Sequence, residues 1–295
     1  MKRLYSLLVA LVCMVWDAMA QETIAKSPCV EKYEMAYGDT VRTYSMYIPE
    51  NSGTCLPLIV YTHGYSSRPA NRIRPDLNDT AARYGFAVCY PDGTPDTKGK
   101  DGWNVGYPSQ KGMRVDESDF FEKLLDEVCA RFSLSRDNVF LTGMSNGGDL
   151  CYQFVYTSPR LFRAYASVAG LTFENVYLTR RLTVPVPFLE IHGTADKTSM
   201  WYGDHADTGG WGPYIPVPLA VSAIASNNRC TVLSVDTVPS LPGSQRLVTR
   251  SVYSGSPYGT DVVLYRIEGG AHRWGTDDLP TSDIICCFFS RYLVP

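Results

Sequence analysis

The 295 residues predict an α/β fold: a doubly wound, mostly parallel sheet with helices on both faces. Three observations carry that expectation. Short, mostly apolar runs recur along the chain, at residues 56–61, 86–90, 139–142, 164–168 and 186–191. Such runs suit strands covered on both faces, as in a parallel sheet. Between them lie stretches with helical spacing, as in Phe120, Leu124, Leu125, Val128 and Phe132. Strand-like and helix-like segments then alternate over most of the length, without an internal repeat or a low-complexity linker.

The elements follow in order. Residues 33–37 and 42–48 alternate in polarity around Gly38-Asp39 and predict a β-hairpin. The run 56–61 leads into Thr62-His63-Gly64, a short helix is expected at 76–84, and 86–90 is the next strand. A Gly/Asp/Lys-rich loop occupies 91–113, and the following helix has Asp116 and Ser118 as candidate caps. Strand 139–142 ends at Gly143, and a helix covers 148–157 before Pro159. After two buried strands, 164–168 and 186–191, residues 197–216 read as a loop or small lid rich in Gly, Trp, Tyr and Asp. A helix at 217–227, strands at 232–238, 246–253 and 262–267, and an apolar-sided helix at 282–293 complete the chain.

The N-terminus is expected to lie outside this fold. Lys2 and Arg3, an apolar stretch to Trp16 and the small-x-small triplet Ala18-Met19-Ala20 have the form of a signal peptide over 1–20. A single domain over 21–295 and a secreted or periplasmic location follow from that reading, with no stable membrane insertion after cleavage. A net charge of −3 argues against nucleic acid or an anionic membrane as partner. Eight cysteines would remain, an even number that permits disulfides in an exported chain, and their spacing fixes no pairing. No CxxC pair or His/Cys cluster has zinc spacing, so a metal is not expected.

Chemistry concentrates at Gly143-Met144-Ser145-Asn146-Gly147, a G-x-S-x-G pentapeptide. Common by itself, it gains meaning from the apolar strand running into it and the helix-forming stretch leaving it. That is the setting of a nucleophile elbow in an α/β-hydrolase, where a sharp turn projects the serine above the sheet edge. Serine needs a base, and the base an orienting acid, here in the chain order Ser, Asp or Glu, His. Of the four histidines, His63 and His192 come too early and read as structural. His205 lies only nine residues past the best acid candidate, whereas His272 follows a late strand in a Gly-rich turn. The expected base is His272, and activity should fall in acid as its imidazole takes up a proton. For the acid, Asp196 stands just beyond a central strand and is preferred over Asp204 and Asp207 in the same loop. The backbone N–H groups of Asn146 and Tyr65 are the expected oxyanion donors.

These pieces resemble a known group. Tyr61-Thr62-His63-Gly64, Pro91-Asp92-Gly93, Gly102-Trp103-Asn104, residues 141–148, His192-Gly193-Thr194-Ala195-Asp196, Asn228-Arg229-Cys230 and residues 269–274 span nearly the whole chain. Together they are similar to the feruloyl/acetylxylan esterase and polyhydroxybutyrate depolymerase type, the first carbohydrate esterase family. The resemblance implies cofactor-free acyl-enzyme hydrolysis of a small-molecule or polysaccharide ester. Gly275 stands where a proline often follows the Trp, and Ala271 replaces a glycine, which leaves the subfamily open. Trp103, Trp201, Tyr202 and Trp211, with Tyr214 nearby, sit in loops expected to border the site and to stack on an aromatic acyl group or sugar. Feruloyl esters of plant cell-wall xylan are therefore the first expectation, acetylated xylan the next and polyhydroxyalkanoate the third. A serine peptidase of the same fold, or a binding protein without catalysis, are the readings from other classes.

Overall fold

The computed structural model describes residues 30–50 and 52–295. The expected signal peptide, the cleavage point before Gln21 and Cys29 lie outside the described residues. Strands β1 (Glu31–Tyr37) and β2 (Thr40–Tyr47) form the expected antiparallel hairpin. Next come β3 (Leu58–Thr62), α1 (Pro75–Tyr84) and β4 (Ala87–Pro91), then a two-residue ribbon, β5 (Thr94–Pro95) with β6 (Asp101–Gly102). Helix α2 (Glu117–Phe132), β7 (Val139–Met144), α3 (Asn146–Thr157) and β8 (Tyr165–Val168) continue the alternation. A short helix α4 (Glu174–Thr179) precedes β9 (Phe188–Gly193) and α5 (Val217–Asn227). Strands β10 (Val232–Val238), β11 (Val248–Ser254) and β12 (Val262–Ile267) and helix α6 (Thr281–Ser290) close the chain.

Ten strands form one sheet in the order β1-β2-β4-β3-β7-β8-β9-β12-β11-β10. Its centre, from β4 to β12, is parallel, and antiparallel pairs flank it on both sides. The central strands are mostly apolar because both faces are covered. In β3, Leu58 and Val60 enter one core with Phe120 and Leu124 of α2, Leu150 and Phe154 of α3 and Ile224 of α5. Ile59 and Tyr61, pointing the other way, meet Leu77 of α1 and Ile285, Phe288 and Phe289 of α6. Each such buried side chain contributes ~1.5–3 kcal/mol. The Asp116 carboxylate caps α2 by accepting the N–H groups of Ser118 and Asp119.

Three expectations shift. Helix α3 begins at Asn146 rather than 148, because Gly147 and Gly148 are its first turn rather than a preceding loop. The last helix stops at Ser290, where Arg291 caps it, instead of running to 293. Helix α4 was not anticipated, as one and a half turns leave no periodicity to read. The seven described cysteines form no disulfide among themselves.

Candidate active site

Strand β7 delivers Ser145 to the carboxyl edge of the sheet, where its backbone takes φ +57° and ψ −123°. That is a strained turn for a residue with a side chain. The Ser145 N–H donates to the Val168 carbonyl at 2.9 Å, tying the turn to the end of β8. Close packing explains the flanking glycines. A Cβ on Gly147 would stand 2.0 Å from the Thr62 carbonyl oxygen, and one on Gly143 2.2 Å from Thr62 Oγ1. The Thr62 hydroxyl in turn donates towards the Gly147 and Thr142 carbonyls at 3.1 and 3.2 Å. The strand-to-helix turn is thereby locked against β3.

The loop after β3 lies over the serine. A Cβ on Gly64 would come within 3.3 Å of Ser145 Cβ, so the loop backbone at Gly64 passes close to the serine. Tyr65 is anchored away from that point: its hydroxyl donates to Asp96 Oδ2 at 2.6 Å, and the next N–H, of Ser66, donates to the Asp101 carbonyl at 2.7 Å. Asn146 opens α3, whose first N–H groups have no acceptor within the helix. Neither the Tyr65 nor the Asn146 N–H finds an acceptor among the described residues. His63 braces this loop. Its Nδ1 lies 2.8 Å from the Gly64 carbonyl and so carries the proton, while Nε2 accepts the Gly93 N–H at 3.0 Å. Burial pushes its pKa down and keeps the imidazole neutral.

Asp196 follows β9 by three residues and His272 follows β12 by five, and the two strands are neighbours. His272 Nδ1 lies 2.7 Å from Asp196 Oδ2. The Asp196 side chain is fully buried and that of His272 21% exposed. Asp196 Oδ1 accepts the Thr198 and Ser199 N–H groups at 2.7 and 2.8 Å. Ser145 Oγ makes no hydrogen bond to His272 among the described residues; contacts of this kind tighten once substrate is bound. The rivals are occupied elsewhere. His205 is exposed and pairs with Glu174 of α4, Asp204 accepts the Gly209 N–H and the Thr208 hydroxyl, and Asp207 accepts the Gly212 N–H.

The aromatic expectations divide. Trp103 does not border the site; it is fully buried, a correction with a clear physical reason. Its indole N–H donates to the His63 carbonyl at 2.9 Å, and its backbone exchanges two hydrogen bonds with the Asn146 side chain. Trp103 therefore ties the loop after β3 to Asn146 at the start of α3. Trp201 is also buried, its ring against His192 and under the Arg266 guanidinium, so it offers no stacking face. Tyr214 is buried too, its hydroxyl bound to the Met200 N–H and the Thr198 carbonyl. Tyr202 is 76% exposed and lies against no ring among the described aromatic contacts. Trp211 is half-buried and packs edge-on against Tyr65 and tilted on Tyr107, with centroids 5.6 and 5.1 Å away.

Several groups here were not singled out from the sequence. Asp149, Glu190 and Tyr107 are buried polar side chains, and the Tyr107 hydroxyl donates to Asp149 Oδ2 at 2.5 Å. A glutamate inside the apolar run 186–191 was the available signal for Glu190. Among the described residues no group of three or more His, Cys, Asp or Glu side chains is arranged to hold a metal ion. No helix of the described chain is long and apolar enough to cross a membrane.

Comparison with known proteins agrees with this architecture. Residues 42–182 match the family described as Esterase PHB depolymerase. Feruloyl esterase D of Neurospora crassa is 25% identical over 262 residues, covering 85% of this chain and 82% of that protein. Feruloyl esterase B of the same organism is 28% identical over 134 residues, 44% of each chain. The acetyl xylan esterase of Aspergillus awamori superposes with a TM-score of 0.61 at 15% identity, over 88% of this chain and 99% of that one, which shows a shared fold. The match over residues 42–182, the two feruloyl esterase relatives and the shared fold make the chain similar to these esterases and support a carboxylic ester hydrolase with the α/β-hydrolase fold.

Proposed function

We propose that the protein is a feruloyl esterase that releases hydroxycinnamic acids from cell-wall xylan through an acyl-enzyme on Ser145. The observation that carries the chemistry is the His272–Asp196 pair at 2.7 Å, at the same sheet edge as a serine held on a strained turn. In this reading His272 takes the Ser145 proton as Oγ attacks the ester carbonyl, and Asp196 holds the imidazole with Nε2 facing the serine. The tetrahedral oxyanion forms against the unengaged N–H groups of Tyr65 and Asn146. His272 then protonates the departing alcohol or sugar, and water, activated by the same histidine, releases the acid.

Feruloyl specificity is supported by the two curated relatives and by Trp211, an accessible indole in contact with the Tyr65 ring beside an oxyanion donor. An aromatic acyl group extends from the carbonyl towards such a surface and stacks on it. The family description favours polyhydroxybutyrate as the second substrate. Parallel assays on methyl ferulate, acetylated xylan and polyhydroxybutyrate test the order. Release of ferulate should dominate, and turnover confined to the polyester would overturn the assignment. Ser145→Ala should lower kcat by several orders of magnitude with little change in substrate binding. Export with cleavage after Ala20 belongs to the same proposal, and N-terminal sequencing of the processed protein checks it.

A further inference from the structure

Behind Asp196 lies a second polar layer that the reaction as drawn does not use. Glu190 and His192 alternate along β9, so their side chains leave the same face of the sheet, and both are completely buried. His192 Nδ1 is 2.8 Å from Glu190 Oε1, and Nε2 is 2.7 Å from the Ser199 carbonyl. A carbonyl only accepts, so Nε2 carries a proton, and a second proton lies between Nδ1 and the carboxyl. The pair is neutral overall, whichever partner holds that second proton. Burial raises the Glu190 pKa. The Glu190 hydrogen bond and charge raise that of His192, against the desolvation that lowers it. Asp149, Cys151 and Tyr152 of α3, Ser167 of β8, the Trp201 ring and Asp196 itself surround the pair.

Ser199 connects this layer to the acid. Its carbonyl accepts from His192, and its N–H donates to Asp196 Oδ1 at 2.8 Å. His192 Nε2 also stands 3.6 Å from Asp196 Oδ2, the oxygen that meets His272. We propose that His192, fixed in its tautomer by Glu190, is a positioning residue. Through the Ser199 carbonyl it holds the turn that aims Asp196 at His272. This rests on the reading of Ser145, Asp196 and His272 given above. Without the Nε2 donor, the 196–199 turn is free to rotate. Asp196 then steers the base less well while the substrate surfaces stay intact.

Two substitutions separate a donor from mere bulk. The Gln amide nitrogen falls near the imidazole Nε2 position and can still reach Ser199. The shorter Asn amide falls near Nδ1, where it reaches Glu190 but not Ser199. On an activated aryl ester, His192→Asn should lower kcat about 10- to 100-fold with KM within about twofold, the cost of a small misplacement of catalytic groups. The acid limb of its rate profile should move to lower pH, because a misaligned Asp196 stabilises the His272 imidazolium less. His192→Gln should recover most of the rate and restore the limb. Equal rates for the two folded variants, or a wild-type profile in His192→Asn, overturn the proposal.

A measurement on the wild-type protein guards against variants that fail to fold. Nitrogen-15 NMR of its four histidines should show His192 Nε2 protonated between about pH 5 and 8, the range over which an ordinary histidine changes charge. A His192 protonated at Nδ1 alone refutes the clamp. Ser145→Ala, assayed alongside, distinguishes the two layers of the argument. Turnover that survives it refutes the nucleophile and this proposal together. Equal Gln and Asn rates on an enzyme that Ser145→Ala silences refute the proposal alone.

Discussion

Ser145 sits at φ +57°, a conformation that costs a residue with a side chain ~1–3 kcal/mol, and the surrounding contacts hold it there. The Val168 carbonyl, the Thr62 hydroxyl bridging to Gly147 and the Gly64 backbone bound the turn on three sides. Asp196 is held as firmly, by two backbone N–H groups on one oxygen and His272 on the other. At this scale Asp196→Asn is the informative change. An amide there can present its N–H to His272 Nδ1 and favour the tautomer with the proton on the wrong nitrogen. We expect kcat to fall about 10⁴-fold with little change in melting temperature; retention of more than about a tenth of the activity would remove Asp196 from the mechanism. Residue order alone pointed to this site, because a late His in a Gly-rich turn and an Asp beyond a strand are positional signals. Trp103 misled for the complementary reason. A Trp between a glycine and an asparagine in a polar loop looks exposed, and only the fold reveals that the loop turns inward and spends its indole N–H on the His63 carbonyl.

Among the elements, the junction of β3, β7 and α3 sets the precision of the site. With a Cβ on Gly147 placed 2.0 Å from the Thr62 carbonyl, helix and strand cannot stay where they are. Gly147→Ala should therefore lower stability by ~1–3 kcal/mol, as overpacking does, and should lower kcat further by tilting the Asn146 N–H. A thermal melt with a parallel rate assay checks both, and a variant as stable and active as the parent would show that the junction is not tight. Gly38→Ala, in a turn where the new Cβ meets nothing, is the control for backbone strain alone at φ +56°. The central strands were legible because burial on both faces leaves runs that are mostly apolar. Their partners at the sheet's rim were less so: β10 is exposed along nearly its whole length, and its alternation of Val, Leu and Ser carries no sign of which face is covered. Helix α3 was read two residues short for a related reason, since glycines that usually signal a turn here serve close packing inside a helix.

For the whole molecule, buried carboxyls set how stability follows pH. Burial raises the Asp149 pKa from 3.8 to about 8, against the Tyr107 hydroxyl and the Leu171 N–H that favour the charged form. Glu117 is likewise raised by burial, to about 7, although the Asn104 N–H and the nearby Arg42 charge oppose it. Such groups ionise in the unfolded chain near pH 4 but stay protonated in the folded one. The folded state thus binds more protons, and stability falls as pH rises from about 4 to about 8. His192 works in the same direction, since its raised pKa supplies stability in acid that is lost as pH climbs through the folded value. Asp92 and Asp96 oppose this trend at the acid end. Both are lowered by their hydrogen bonds in spite of burial, so their contribution is present above pH 4 and disappears as the carboxylates protonate. The two sets place the stability maximum on the acid side of neutrality and predict a declining melting temperature towards pH 9. Asp149→Asn isolates the largest part of the alkaline slope, because an amide keeps a donor and an acceptor in place without an ionisation to suppress. Its stability relative to the parent should rise between pH 5 and pH 9 by at least about 1.4 kcal/mol, the equivalent of one unit of pKa shift. Denaturant melts of both proteins at the two pH values provide the measurement. Parallel pH dependences would mean that Asp149 is already ionised in the folded enzyme, and that the polar layer behind the active site carries a net negative charge.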